Sequence, residues 1–372
     1  MSMTNSTGTS DLAATGAGPG VRFERSRAAV TLTLDRAAKL NAIDSVMKAA
    51  IANEIPRIAR DPQVYAVLLR AAQGRIFSAG GDIREFYDLA RTAPVRAAEE
   101  TAREYHLIWL LDCFSKPTIA LIDGAVMGTG VGIVHTATHR VAGPGYRFQM
   151  PETLIGFFPD CGVCWHLARL PHEIGTWLGM TGSAIGREDA YWLDLLTHCV
   201  EADRFDAIAS SIANADPIDD VLAAHHIDPG PAPLQALAPV IENCFSAAST
   251  AEIFDRLGAS KTQREWCANT IETMGKRSPM ALEVTLRHLR RARHLDLRKT
   301  LIVDYRLAVK LLTSHDFLEG VRARIVEKSG EPRWQPATLT DVGDLQVEQY
   351  FDPLPSGEMS LPTRQEMLGM RV

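Results

Sequence analysis

No stretch of this 372-residue chain approaches the ~20 consecutive apolar residues that a membrane-spanning helix needs. No membrane partner is therefore expected. The first residues, MSMTNSTGTSDLAATGAGPG, lack the basic cluster and apolar run of a secretory signal. They also lack the arginine richness of a mitochondrial transit peptide, so the expected location is cytoplasmic. Rich in Ser, Thr, Gly and Ala, residues 1–19 read as a disordered leader. Positive charge is not in excess: 39 Lys and Arg against 45 Asp and Glu leave a net charge of −6. That argues against a nucleic-acid groove and requires any anionic ligand to meet local basic groups. Cysteine is sparse, with six in the chain. Cys161 and Cys164 form one Cys-x-x-Cys with no second copy, a thin basis for zinc or thiol redox chemistry. No metal and no separate cofactor are expected. There is no internal repeat, and neither glycine-rich loop matches the dinucleotide or phosphate-loop spacing.

What the chain does have is a hydrophobic fraction of 46% with 23% charged residues, enough for a sizeable core. The segment AAVTLTLD (28–35) alternates as a strand does, and VYAVLLRAA (64–72) is apolar throughout, as in a strand covered on both faces. Between them Ile43, Met47, Ile51, Ile55 and Ile58 keep helical spacing, with Asp44 or Ser45 as the cap and Asp61-Pro62 as the stop. A glycine-rich loop (74–82), a long helical stretch to about Leu111 and a third strand, PTIALID (117–123), follow. A second loop, GAVMGTG (124–130), then leads into an apolar helix. This alternation predicts an α/β core with a mainly parallel sheet. From about residue 173 the strand signal fades and helical patterns dominate to about 328, and residues 337–372 carry too little periodicity to assign. The basic helix holding Arg287, Arg290, Arg291 and Arg293 reads as a solvated face.

Each glycine loop follows a strand and opens toward a helix. Backbone N–H groups from the two loops could therefore converge on one oxygen, although two tight turns account for the spacing equally well. In MPETLIGFFPDCGVCWHLARLP (150–171), Glu152 stands among apolar residues and must be paired, protonated or functional. A surface glutamate capping the next element remains open at this point. Asp160 after a proline is ordinary turn chemistry.

The runs RIFSAGGDIREF (75–86), KPTIALIDGAVMGTGVGI (116–133) and FQMPETLIGFFPDCG (148–162) resemble, in this order, the crotonase superfamily of enoyl-CoA hydratase/isomerase type. The segment DRAAKLNAID (35–44) resembles that family's first coenzyme A contact. DYRLAV (304–309), HDFLEGVRARIVEK (315–328) and PRWQP (332–336) are most similar to its 3-hydroxyisobutyryl-CoA hydrolase branch. The resemblance spans residues 20–336. It implies a crotonase-like ββα spiral core over 20–205 and a helical region over 206–336. It also implies an acyl-CoA thioester substrate and leaves homo-oligomerisation open. The oxyanion donors would be the backbone N–H groups of Gly81 and Thr129. Glu152 would be the catalytic carboxylate, Asp160 would place a hydroxyl or water, and Arg36, Lys39 and Arg84 would meet coenzyme A. Thr129 departs from the expected glycine, and a β-branched residue is disfavoured at positive φ. Gly132 occupies the place of the second glutamate of hydratases. Hydrolysis is therefore the expected reaction. The alternatives are hydration or isomerisation on the same fold, or acyl-CoA binding without turnover. Cys161 and Cys164 would be small apolar fillers.

Overall fold

A computed structural model describes residues 13–72, 74–328, 330–355 and 357–372. Its core is wound from repeated strand–strand–helix turns that feed two sheets alternately. The larger sheet runs β1 (Ala13–Gly18), β2 (Val21–Ser26), β3 (Ala29–Leu34), β4 (Ala66–Ala71), β6 (Thr118–Ile122), β8 (His139–Ala142) and β11 (His198–Cys199). From β3 onward the neighbours are parallel, whereas β1, β2 and β3 form an antiparallel meander. The smaller sheet is ordered β10 (Ile185–Gly186), β9 (Arg147–Gln149), β7 (Ala125–Met127) and β5 (Ile76–Ser78). Thus β4, β6 and β8 each hand the chain to the next strand in the smaller sheet before it returns.

The apolar run in β4 is explained by its two covered faces. Val67 and Leu69 belong to the main core, while Ala66 and Leu68 belong to a second cluster. That second cluster lies under the helices Phe205–Ala213 and Ile218–His225. Period-two alternation is hidden when both faces are dry. Helix α1 (Ser45–Arg60) starts where the sequence places it: the Asp44 carboxylate accepts from the Met47 N–H at 2.9 Å. The long helical stretch after the first loop divides at Pro94 into α2 (Ile83–Thr92) and α3 (Pro94–Asp112). Helix α4 (Gly128–His135) begins inside the second glycine loop rather than after it.

Three sequence expectations are corrected. Residues 13–18 of the expected leader are a strand paired with β2, and residues 1–12 lie outside the described residues. The unassigned tail folds: helices Asp344–Phe351 and Arg364–Gly369 bury Val347, Phe351 and Met367, and the segment between them buries Met359 and Leu361. The basic helix α5 (Pro279–Ala292), with Arg293 just beyond it, is not simply solvated. Arg287 and Arg291 pair with Glu348 of the tail at 2.6 and 2.5 Å. Arg290 and Arg293 meet Glu173 at 2.6 and 2.5 Å.

The helical region does not stand apart from the core. One hydrophobic cluster runs from Val21 to Val372. Helix α6 (Leu297–Leu312) lies along α3, and α7 (His315–Val321) packs on the turn Glu152–Ile155. A Cβ on Gly320 would stand 2.6 Å from the Ile155 backbone, so α7 rides directly on that turn.

Candidate active site

The two glycine loops touch. A Cβ at Gly80 would lie 3.1 Å from the Met127 carbonyl oxygen, and Gly80 has φ +93°, so glycine is required there on both counts. Beyond this contact the chain runs on through Gly81 and α2 on one side, and through Gly128 and α4 on the other. Ile43 accepts from the Asp82 N–H and donates to the Gly80 oxygen, which leaves the Gly81 N–H outside that ladder. Thr129 is in the first turn of α4, where N–H groups have no intrahelical acceptor, and α4 has no side-chain cap. The strain expected at Thr129 is instead carried by Gly128, whose φ is +47°.

Both residues line a cavity of about 260 Å³. Its lining combines apolar side chains, among them Ile83, Phe86, Ile155, Phe157 and Phe317, with Glu104, Tyr105, Glu152, Asp160 and Arg324. Glu152 opens the 3-10 turn Glu152–Ile155 and is 8% exposed. Its Oε1 would be 3.3 Å from a Cβ on Gly128, so the carboxylate abuts the start of α4. Its Oε2 is buried with no hydrogen-bond partner among the described residues. Burial, then the nearby Asp160, holds its pKa well above the usual carboxylate range. A buried carboxyl group so placed can serve as base or nucleophile.

Asp160 accepts from the Tyr105 hydroxyl at 2.8 Å. Burial, followed by the charge of Glu104, pushes its pKa up to about 8. The loop behind it is fixed from the helical region: the Gly162 N–H donates to Asp304 of α6 at 2.7 Å. Asp304 and His288 of α5 are both fully buried and hydrogen-bonded to each other at 2.5 Å. Asp160, Glu152, Gly81 and Thr129 thus line one cavity.

The three expected coenzyme A contacts fare differently. Arg36 spends its charge internally, on Asp82 at 2.8 Å and Asp44 at 3.3 Å. Lys39 is exposed on the neighbouring turn. Arg84 is exposed and donates to the carbonyl oxygen of Ile325, a cavity-wall residue, at 3.0 Å. Cys161 is not an apolar filler: its sulfur is 3.5 Å from both Glu104 and Asp160. Burial pushes both thiols well up, so Cys161 and Cys164 stay protonated and unreactive.

Sequence reasoning missed Glu104, its partner Lys48, Tyr105 and Arg324. Lys48 and Glu104 form an ion pair at 3.0 Å with side chains only 3% and 4% exposed. The signal was there: on α3, Ala97, Thr101, Glu104, Tyr105 and Ile108 share one buried face, and a glutamate does not belong on such a face without a reason. Arg324 enters through a single π-helical turn, Arg322–Val326, and its Nε is buried without a partner among the described residues.

With this geometry in place, the chain can be set beside known proteins. Residues 29–351 match the family model described as "Enoyl-CoA hydratase/isomerase". The chain belongs to the enoyl-CoA hydratase/isomerase family. Among curated relatives, a protein of Xenopus tropicalis named 3-hydroxyisobutyryl-CoA hydrolase, mitochondrial, is 32% identical over 89% of this chain and 88% of its own length. The protein of the same name from Gallus gallus is 32% identical, over 92% and 91%. A crystal structure titled as a carnitinyl-CoA dehydratase from Mycobacterium thermoresistibile matches with a TM-score of 0.87 and 33% identity. That match covers 92% of this chain and 99% of the other. The cytoplasmic location expected from the first residues is overturned by the relatives' names, which carry the word mitochondrial. The expectation rested on the composition of a short segment alone, and the lack of one arginine-rich pattern there does not fix a compartment.

Proposed function

We propose that this family member hydrolyses a short 3-hydroxyacyl-CoA thioester, 3-hydroxyisobutyryl-CoA first among candidates, in the mitochondrial setting that its relatives' names support. The thioester carbonyl oxygen lies between the Gly81 and Thr129 N–H groups, which stabilise the negative charge that develops on it. Glu152, as the carboxylate, either attacks the carbonyl carbon to give an anhydride that water then cleaves, or takes the proton of a water that attacks directly; in both routes the thiolate of coenzyme A leaves. Asp160, still protonated near neutral pH, donates to the substrate hydroxyl or to the departing sulfur. Arg84 and Lys39 meet the phosphates from the surface, and Arg36 holds the first loop.

The observation that carries this reading is the packing at Gly132. A Cβ there would stand 2.8 Å from Cys161 Cβ and 3.1 Å from Ile108 Cδ1. No second glutamate can be accommodated at that position, which leaves Glu152 without the paired carboxylate that double-bond hydration uses. Hydration or dehydration remains the second reading, favoured by the dehydratase title of the matching structure and by the proximity of Asp160 to Glu152.

The deciding experiment follows free thiol release from 3-hydroxyisobutyryl-CoA by the protein and by Glu152→Gln. Release by the wild type and a loss of about 10³-fold in the variant are expected. Turnover of a 2-enoyl-CoA with no thiol released would replace hydrolysis by hydration. Binding of both thioesters without change in either would leave an acyl-CoA-binding protein.

A further inference from the structure

The proposed chemistry makes no use of the buried pair Lys48–Glu104, although it lies beside the carbonyl site. Buried ion pairs are poor stabilisers, because desolvation offsets most of their attraction. Their retention at a cavity wall therefore calls for a role. Glu104 Oε2 faces Lys48, while Glu104 Oε1 accepts from the hydroxyl of Thr129. The same contact touches the other donor: a Cβ on Gly81 would lie 3.1 Å from Thr129 Oγ1 and 3.6 Å from Glu104 Oε1. Lys48 is further enclosed by Phe86, a cavity residue, with Nζ 4.5 Å from the ring centre. Thus α1 supplies a counter-ion, α3 supplies a carboxylate, and the carboxylate grips the side chain of Thr129, a first-turn residue of α4 that lines the cavity.

Resting on the hydrolase reading, we propose that Glu104, anchored by Lys48, is the positioning residue of the carbonyl-binding loops and acts through the Thr129 hydroxyl. Threonine at this place in the glycine loop is then a handle rather than a defect. Its Oγ1 fixes the first turn of α4 in rotation, and so fixes the direction of the Thr129 N–H. Thr129 and Glu104 also fill the space beside Gly81, which limits that end of the cavity to a short acyl group.

The arrangement has an electrostatic side as well. Asp160 is faced by Tyr105 and Glu104 of α3, Cys161 and Cys164 of its own loop, Glu152 and Asp304. Glu104 is faced by Lys48, with Glu85 and Glu100 farther out on the Lys48 side. Burial alone would lower the pKa of Lys48, but the Glu104 charge and hydrogen bond hold it above its ordinary value. The negative charge of Glu104 in turn helps Asp160 keep its proton.

The test uses the full chain and three variants. Thr129→Val removes the hydroxyl at constant shape and keeps the N–H. Thr129→Ser restores the hydroxyl. The double variant Lys48→Met, Glu104→Gln removes both charges together, so that no buried charge is left unpaired. For Thr129→Val, kcat is expected to fall ~10-fold with little change in KM. That is less than the 10²–10³-fold cost of losing a donor outright. Thr129→Ser should recover most of it. In the double variant the alkaline limb of the pH–rate profile should move to lower pH. The readout independent of turnover is the infrared stretch of a ¹³C-labelled thioester carbonyl, bound in a Glu152→Gln background. It should lie closer to its solution frequency in Thr129→Val than in the chain with Thr129. Unchanged frequency and kcat in Thr129→Val would overturn the proposal, as would a serine variant no better than valine. If the wild type releases no thiol at all, the hydrolase reading fails, and the carbonyl frequency still decides the role of Glu104.

Discussion

Asp160 shows how a single side chain trades stability for chemistry. Its folded pKa of about 8 stands far above the ordinary 3.8, burial being the main cause and the charge of Glu104 the next. Between those two values the unfolded chain has released a proton that the native state still holds. Stability therefore falls as pH rises through that window, and the contribution is fully present only below the ordinary value. Asp160→Asn keeps an acceptor for the Tyr105 hydroxyl and has no proton to lose. It is expected to melt at a higher temperature than the wild type at pH 8, by roughly 2 °C or more, with the gain shrinking toward pH 4. A difference independent of pH, read by calorimetry across that range, would contradict the burial of a titrating Asp160. Glu152 was legible in the sequence for the reason Asp160 was not: a carboxylate between Met150 and Phe157 is conspicuous, whereas Pro-Asp is common in turns. Glu104 was legible in principle and overlooked. It stands in register with Ala97, Thr101 and Ile108 on the buried face of α3, while its partner Lys48 is 56 positions away in sequence and leaves no local trace.

At the scale of elements, β3, β4, β6 and α1 emerged from the sequence because each carries enough residues to show a period. The strands of the second sheet did not. β5, β7 and β9 are three residues long and β10 is two, too short for alternation to register. Yet β5, β7 and β9 lead directly to Gly80 and Gly81, to Gly128 and Thr129, and to the Glu152 turn. Helix α7 was recognised by its motif, yet its job is visible only in three dimensions. It lies on the backbone of Ile155 with no side chain between. Gly320→Val should force α7 off that turn. Destabilisation of about 1–3 kcal/mol in urea unfolding is expected, together with a loss of thiol release larger than for a substitution on the outer face of the same helix. Stability lost with full activity retained would show that the turn is held by something else.

For the whole molecule, the resemblance drawn from motifs captured the fold and the family, while the relation between the two halves was hidden. The hydrophobic cluster crosses the boundary expected at residue 205 without a break. Asp304, paired with His288, accepts from the Gly162 N–H, and Leu312, Phe317, Arg324 and Ile325 complete the cavity. The tail then straps the assembly. The Trp109 indole of α3 donates to the Pro362 carbonyl at 2.8 Å, and Arg298 of α6 donates to Leu361 at 2.8 Å. No helix among the described residues is long and apolar enough to cross a membrane. Contacts of such sequence separation leave no signature in a local pattern, because each partner alone looks like an ordinary polar residue on a helix.

That late closure has a consequence for synthesis. The loops, Glu152 and Asp160 all leave the ribosome before residue 170, while the wall formed by Leu312 to Ile325 follows after some 150 more residues. At about 5–20 residues per second, a nascent chain would carry its reactive groups for roughly eight to thirty seconds without an enclosed pocket. The exposed carboxylates would then sit in water, with ordinary acidity and no means of holding a thioester. A ribosome-arrested chain ending near residue 300 should retain no acyl-CoA, whereas one with residue 372 clear of the exit tunnel should. Retention by the shorter chain would mean that the first half binds substrate unaided.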